Sequence, residues 1–165
     1  MKCGARISDD GRYRYLLWRS WGTGSKTMTF VMLNPSTADH EVDDPTIRRC
    51  IGFAKREECS ELVVVNLFAY RATKPSDMAD ALGAGIDIFG PDQDGWMRAA
   101  LNQWAGPVVA AWGAHQIANL ATPKMPDMPL LCLGTTKSGA PRHPLYVKGD
   151  QPLVPWRGPD VEPAA

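Results

Sequence analysis

Two asparagines and two histidines stand where short apolar runs give way to polar turns, and their side chains could do chemistry. Asn34 precedes Pro35 in VMLNPSTAD (31–39), and Asn66 closes the apolar run of VVVNLFAYRAT (63–73). His115 ends VVAAWGAH (108–115), and His143 stands in GAPRHPLYV (139–147). A carboxamide places donors beside an acceptor, so it can orient a water or read the edge of a planar polar ligand. An imidazole titrates near neutrality and can donate to a developing anion. Each also has a plainer use. Asn34 could close an Asx-turn, Asn66 could pin a neighbouring loop, and His143 could be a solvated loop residue. Trp112-Gly113 reads as a strand-to-helix turn with the indole in the core.

The runs that carry these residues are apolar and β-branched, and PLLCLG (129–134) supplies the strand before the last turn. Ligands of open α/β sheets bind beyond the carboxyl ends of the strands, where such turns collect. Asp44-Pro45 offers an N-cap and a proline at the first helical position. After it, Ile47, Ile51 and Ala54 fall on one helical face. Ser76 could cap a short helix through Leu82, and 92–104 reads as a helix with Met97, Leu101 and Trp104 on one face. PVVAAW (107–112) reads as a strand, and His115 to Ala121 as a short helix. The runs 12–19 and 27–33, joined by GTGS, read as an N-terminal β-hairpin. Strands alternating with helices predict an α/β, three-layer domain with a central, mostly parallel four-stranded sheet.

The chain of 165 residues predicts one domain, 1–165, with its core over 12–147 and a proline-rich surface tail over 148–165. Eighteen basic residues balance eighteen acidic ones, so phosphate neutralisation alone does not hold this protein to nucleic acid. Charge is nevertheless uneven: Arg6, Arg12, Arg14, Arg19 and Lys26 crowd the start, while DHEVDD (39–44) is acidic. The polar N-terminus MKCGARISDDGR shows no secretory signal, and no apolar stretch approaches the roughly 20 residues of a membrane span. A cytoplasmic protein with no membrane partner is expected. The four cysteines form no C-x-x-C pair, and Cys132 reads as a small core residue.

The ordered series NP, VVVN, WG-x-H and HP resembles the uracil-DNA glycosylase superfamily over most of residues 27–147. That resemblance implies the superfamily's fold, with Asn34 directing a water, Asn66 reading the base and His143 stabilising the departing base. It further implies base contacts from Phe68 and Tyr70, and phosphate or backbone contacts from Ser36, Arg142 and Lys148. It requires no metal and no organic cofactor. Two departures stand out. MLNPST lacks the acidic and aromatic residues of the uracil-excising branch, and RHPLY stands where that branch has His-Pro-Ser. The chain also resembles a bacterial and phage domain family marked by LNPSTAD, DDPT and RHPLY, which implies no established activity.

The reading expected from these residues is a nucleobase-recognising, DNA glycosylase-like protein, acting in DNA repair or modification. It would hydrolyse the N-glycosidic bond of a modified or damaged base in DNA or a nucleotide. One alternative is a non-catalytic module that binds nucleic acid or nucleotide. A second is a metal-assisted hydrolase built on Asp39, His40, Asp43 and Asp44, although these lie on a short segment without recognised ligand spacing.

Overall fold

The segment TMTFVM at 27–32 is buried along its whole length, which only a strand covered on both faces and both edges tolerates. It is β3 (Thr27–Met32) of a seven-stranded mixed sheet, in a computed structural model that describes residues 1–158. The other elements are β1 (Lys2–Ile7), β2 (Arg14–Ser20), α1 (Pro45–Arg56), β4 (Glu61–Asn66), α2 (Pro75–Gly83), α3 (Gln93–Asn102), β5 (Val108–Ala110), β6 (Leu130–Cys132) and β7 (Val154–Trp156). Their order across the sheet is β1-β2-β4-β3-β5-β6-β7. Strands β4, β3, β5 and β6 pair in parallel, while β1, β2 and β7 are antiparallel to their neighbours. The protein is thus α/β.

Alternation along the strands divides the core in two. Val31, Val63 and Val65 pack with Met78, Ala81 and Leu101 of α2 and α3. Phe30, Met32, Leu62 and Val64 pack with Ile47, Cys50 and Phe53 of α1. Helix α1 begins as the sequence predicts: Asp44 Oδ1 accepts from the Ile47 N–H at 2.8 Å, and Pro45 opens the first turn. No helix among the described residues is long and apolar enough to cross a membrane.

Three expectations need correction. The runs 12–19 and 27–33 do not form a hairpin, because β4 lies between β2 and β3. The connection at 21–26 instead clasps the start of β4. The Trp21 N–H donates to the Ser60 carbonyl at 3.0 Å, and the Ser60 N–H donates to the Lys26 carbonyl at 2.9 Å. A Cβ on Gly22 would stand 3.0 Å from the Ser60 Cβ, so the loop's glycines serve this close approach rather than a tight reversal. The N-terminal hairpin is formed by β1 and β2.

The second correction is the start of α2. Lys74, extended before Pro75, is the cap residue, and its N–H donates to Asp77 Oδ2 at 3.1 Å. Ser76 lies inside the first turn. The third is the extent of the sheet, seven strands rather than four: β1 and β2 extend it at one edge, and the tail returns along β6 as β7 at the other, with Pro155 opposite Leu131 on the sheet edge, where a missing N–H is tolerated. Residues 159–165 of the expected surface tail lie outside the described residues.

Candidate functional site

A cleft of about 470 Å³ opens beyond the carboxyl ends of β3 and β4. Asn34, Asn66, His115 and His143 all line it, as does Ser36. The fold therefore brings together four side chains that are far apart in the sequence.

Asn34 leaves β3 on a turn that Pro35 holds out of helical geometry. Its Nδ2 donates to the Ala72 carbonyl at 2.7 Å and to the Pro35 carbonyl at 3.1 Å. Two carbonyl partners can be served only by the amide nitrogen, which fixes the otherwise ambiguous flip of this side chain. The Oδ1 is left as an acceptor, suited to orienting a water but too weak a base to take its proton. This arrangement is not the Asx-turn of the plainer reading.

Asn66 ends β4 on the face shared with α1 and is 1% exposed. Neither its Oδ1 nor its Nδ2 has a hydrogen-bond partner among the described residues. Its backbone carbonyl, by contrast, accepts from Gln93 Nε2 on α3. A buried polar group left unsatisfied costs about 1–3 kcal/mol. A carboxamide held in this way at a cleft is an adjacent donor and acceptor awaiting a complementary edge.

His143 caps the short 3-10 turn Pro144–Tyr146: its Nδ1 accepts from the Leu145 N–H at 3.2 Å. The proton of the neutral ring is therefore assigned to Nε2, which becomes a donor. Burial pushes the His143 pKa below the usual histidine value, and the Asp44 carboxylate opposes part of that shift. Burial thus favours the neutral imidazole. His115 repeats the device, its Nδ1 accepting from the Ile117 N–H at 3.2 Å. The His143 turn is held from α1, where Arg49 Nε donates to the Pro144 carbonyl at 3.1 Å and Nη2 to that of Val147. On the other side the Gly113 N–H donates to the Pro141 carbonyl at 2.9 Å, from a left-handed backbone (φ 77°) that suits glycine.

Arg14 lines the cleft although the sequence did not single it out as a site residue. In the β1–β2 ladder Arg6 faces Leu16 but Ile7 faces Arg14, so Tyr15 is an extra residue, a β-bulge. Strict alternation would give Arg14 the face of Leu16; the bulge turns it to the α1 face, where Nη1 donates to the Ala38 carbonyl at 2.9 Å. Asp44, expected as an N-cap and as a candidate metal ligand, caps α1 and also lines the cleft. Tyr146, at the mouth and 78% exposed, sits with its ring 5.4 Å from that of His143.

Other expected contacts fall elsewhere. Phe68 is fully buried on the α2–α3 side, its ring 5.0 Å from that of Phe89. Tyr70 is bridged to Tyr13, their rings edge-on at 6.1 Å. Neither lines the cleft, because the chain after Asn66 leaves the sheet and crosses toward the tyrosine cluster of β2. Arg142 and Lys148 are exposed and lie outside the lining.

The acidic segment is occupied structurally. Asp43 Oδ1 accepts from Arg19 Nε at 2.7 Å, with the arginine side chain fully buried. Asp39 Oδ1 accepts the Glu41 and Val42 N–H groups, each at 2.8 Å. His40 is exposed. Among the described residues no three His, Cys, Asp or Glu side chains come together in a way that could hold a metal ion. The ligand set of the metal-assisted reading is therefore not assembled.

Comparison with curated proteins and with solved structures finds no match. A family model does match residues 14–145, a stretch that runs from the buried Arg14 to the turn bearing His143. Covering most of the chain, that match makes the protein a member of the family described as Protein of unknown function (DUF1643).

Proposed function

We propose that the cleft binds a nucleobase and that the protein hydrolyses its N-glycosidic bond. The observation that carries this reading is the Asn66 carboxamide, 1% exposed at the cleft floor and without a partner among the described residues. Its adjacent donor and acceptor match the paired groups on the edge of a base. Asn34 Oδ1 would hold the attacking water, and Asp44 would face the positive charge that develops on the sugar. His143 would donate from Nε2 to the departing base, and Tyr146 offers a ring on which a planar ligand can stack.

Support also comes from the arrangement of strands. Four neighbouring strands run parallel, β4-β3-β5-β6, and the resemblance to the uracil-DNA glycosylase superfamily rests on turns at their ends. The balance of eighteen basic and eighteen acidic residues favours a free nucleotide, nucleoside or modified base over extended contact with duplex phosphates.

A second reading, recognition without hydrolysis, is favoured by one observation: Asp44 Oδ1, part of the acidic group on the lining, is committed to the Ile47 N–H. A mass-spectrometric screen for released base, over DNA and nucleotides with varied modified bases, separates the two. Release that disappears in Asn34→Ala supports the hydrolase. Binding without release leaves the recognition module, and neither binding nor release removes both.

A further inference from the structure

Arg14 is 3% exposed, yet it lines the cleft. Among the described residues its buried Nε has no hydrogen-bond partner, and its Nη1 is satisfied only by a neutral carbonyl, that of Ala38. Among the described residues none of the ion pairs includes it. Asp44 acts on it through the field, and a carboxylate already tied to the Ile47 N–H is not its contact partner. Burial pulls the Arg14 pKa down to about 10, with Asp44 opposing, so the guanidinium still carries its charge at neutral pH. Buried charges are ordinarily paired and fully hydrogen-bonded, because leaving one without a counter-ion is strongly unfavourable.

The way Arg14 arrives there is equally specific. Had the strand kept strict alternation through Tyr15, its side chain would have pointed to the opposite face, that of Leu16 and the α2–α3 side. A bulge that breaks the ladder in order to aim one cation at a cleft already floored by an unpartnered carboxamide is a ligand-binding arrangement.

We propose that the cleft takes an anionic ligand in which an oxyanion stands beside a donor–acceptor edge, Arg14 pairing with the oxyanion and Asn66 with the edge. This rests on the cleft being a ligand site, and it names the class of ligand that the site takes. A carboxylate on a base ring and the phosphate of a free nucleotide both supply the oxyanion. Arg14 would form a charge-assisted pair with either, using the Nε–H that now has no partner.

The test is titration calorimetry of the full chain at fixed ionic strength with neutral uracil, 6-carboxyuracil, uridine 5′-phosphate, benzoate and inorganic phosphate. In parallel, the Arg14 Nε–H resonance of the unaltered protein is followed by nitrogen-resolved NMR. The expected result is that the anion-bearing pyrimidine binds roughly 10–100-fold tighter than uracil, the usual worth of a hydrogen bond to a charged group. Its binding should also move the Arg14 resonance. Arg14→Gln should collapse the ratio toward one, and Arg14→Lys should keep part of it. Whichever of 6-carboxyuracil and uridine 5′-phosphate binds tighter identifies the source of the oxyanion.

If benzoate or phosphate moves the Arg14 resonance while no pyrimidine binds better than these, the anion site stands and the nucleobase reading falls. If uracil binds as tightly as its anionic relatives and the resonance stays still, the nucleobase reading stands and this proposal is overturned. A resonance unmoved by every probe overturns it as well. Because the NMR measurement uses the unaltered chain, an Arg14 variant that fails to fold does not blunt the test.

Discussion

The Asn34 amide nitrogen donates to the Ala72 carbonyl at 2.7 Å, joining the turn that follows β3 to the loop that follows β4. Asn34 lies in the first of these and Asn66 ends β4 just before the second, so the bond ties together the two loops beside the residues proposed to hold the water and read the base. It also settles what can replace Asn34.

Asn34→Asp should be the damaging substitution. A carboxylate there would face two carbonyl oxygens, those of Ala72 and Pro35, with no proton to offer. The expected loss is about 1–3 kcal/mol for the partners left unsatisfied, measured by urea unfolding. Asn34→Ala should cost less stability and mainly lower turnover. An Asp variant as stable as the parent would mean that the amide is oriented the other way.

Asn66→Leu should separate stability from function. Leucine has the same branched skeleton as the asparagine side chain and leaves no buried polar atom. Removing the unsatisfied carboxamide should raise stability by about 1–3 kcal/mol, while ligand binding is lost. Thermal unfolding and calorimetry on the same sample check both halves. Lower stability would show that Asn66 has a structural partner.

His143 should titrate below the usual 6.5, since burial is the larger influence and Asp44 only partly opposes it. Between the folded and unfolded values the unfolded chain binds more protons, so the folded state loses ground as the solution acidifies. The stability linked to His143 is present above about pH 6.5 and is lost as the pH falls from there through the folded value. A ring-proton NMR titration gives the midpoint, and the same experiment at pH 7 should show Nε2 protonated. A midpoint above 6.5 contradicts the environment described.

Arg49→Ala should loosen the turn that carries His143 without dismantling the sheet. Its guanidinium bonds the Pro144 and Val147 carbonyls from α1, and each hydrogen bond to a charged group is worth about 1.5–3 kcal/mol. Faster hydrogen exchange confined to residues 143–147, with reduced ligand affinity, is the expected pattern. Lysine offers a point charge in place of the fork and should restore little.

Arg19→Met should be among the most destabilising changes, by about 3–5 kcal/mol, because it strands Asp43 and frees the acidic segment. A chelator, on the other hand, should leave unfolding unchanged, since Asp39, Asp43 and Asp44 are taken up by backbone and arginine. A chelator-sensitive transition would restore the metal reading.

Some of this was legible in the residues themselves. Asp44-Pro45 announced α1 because cap and proline act locally, and Asn34, Asn66 and His143 announced a common rim because the first two end apolar runs and the third stands in the polar turn after PLLCLG. What could not be read depended on partners distant in the chain. The glycines at 22–24 fit a hairpin turn as well as a clasp around Ser60, and only the insertion of β4 decides between them. A bulge leaves no mark in period-two patterning except an inconsistency, so Arg14 passed as part of a basic cluster. Phe68 and Tyr70 sit close to Asn66 in sequence, but once β4 ends, alternation no longer tells which way a side chain points. The tail's prolines hid a strand, because a sheet edge accommodates Pro155 without loss.

The position of β4 between two strands that precede it in the chain has a consequence for how the protein comes together. As the polypeptide emerges, β1 and β2 can zip locally, but β2 and β3 have bare edges one strand apart until residues 61–66 follow α1 out. The strand that ends at Asn66 is then a late wedge, closing contacts of long range with β2 on one side and β3 on the other. The side chain proposed to read the ligand is thus carried by the strand that joins the β1–β2 hairpin to β3.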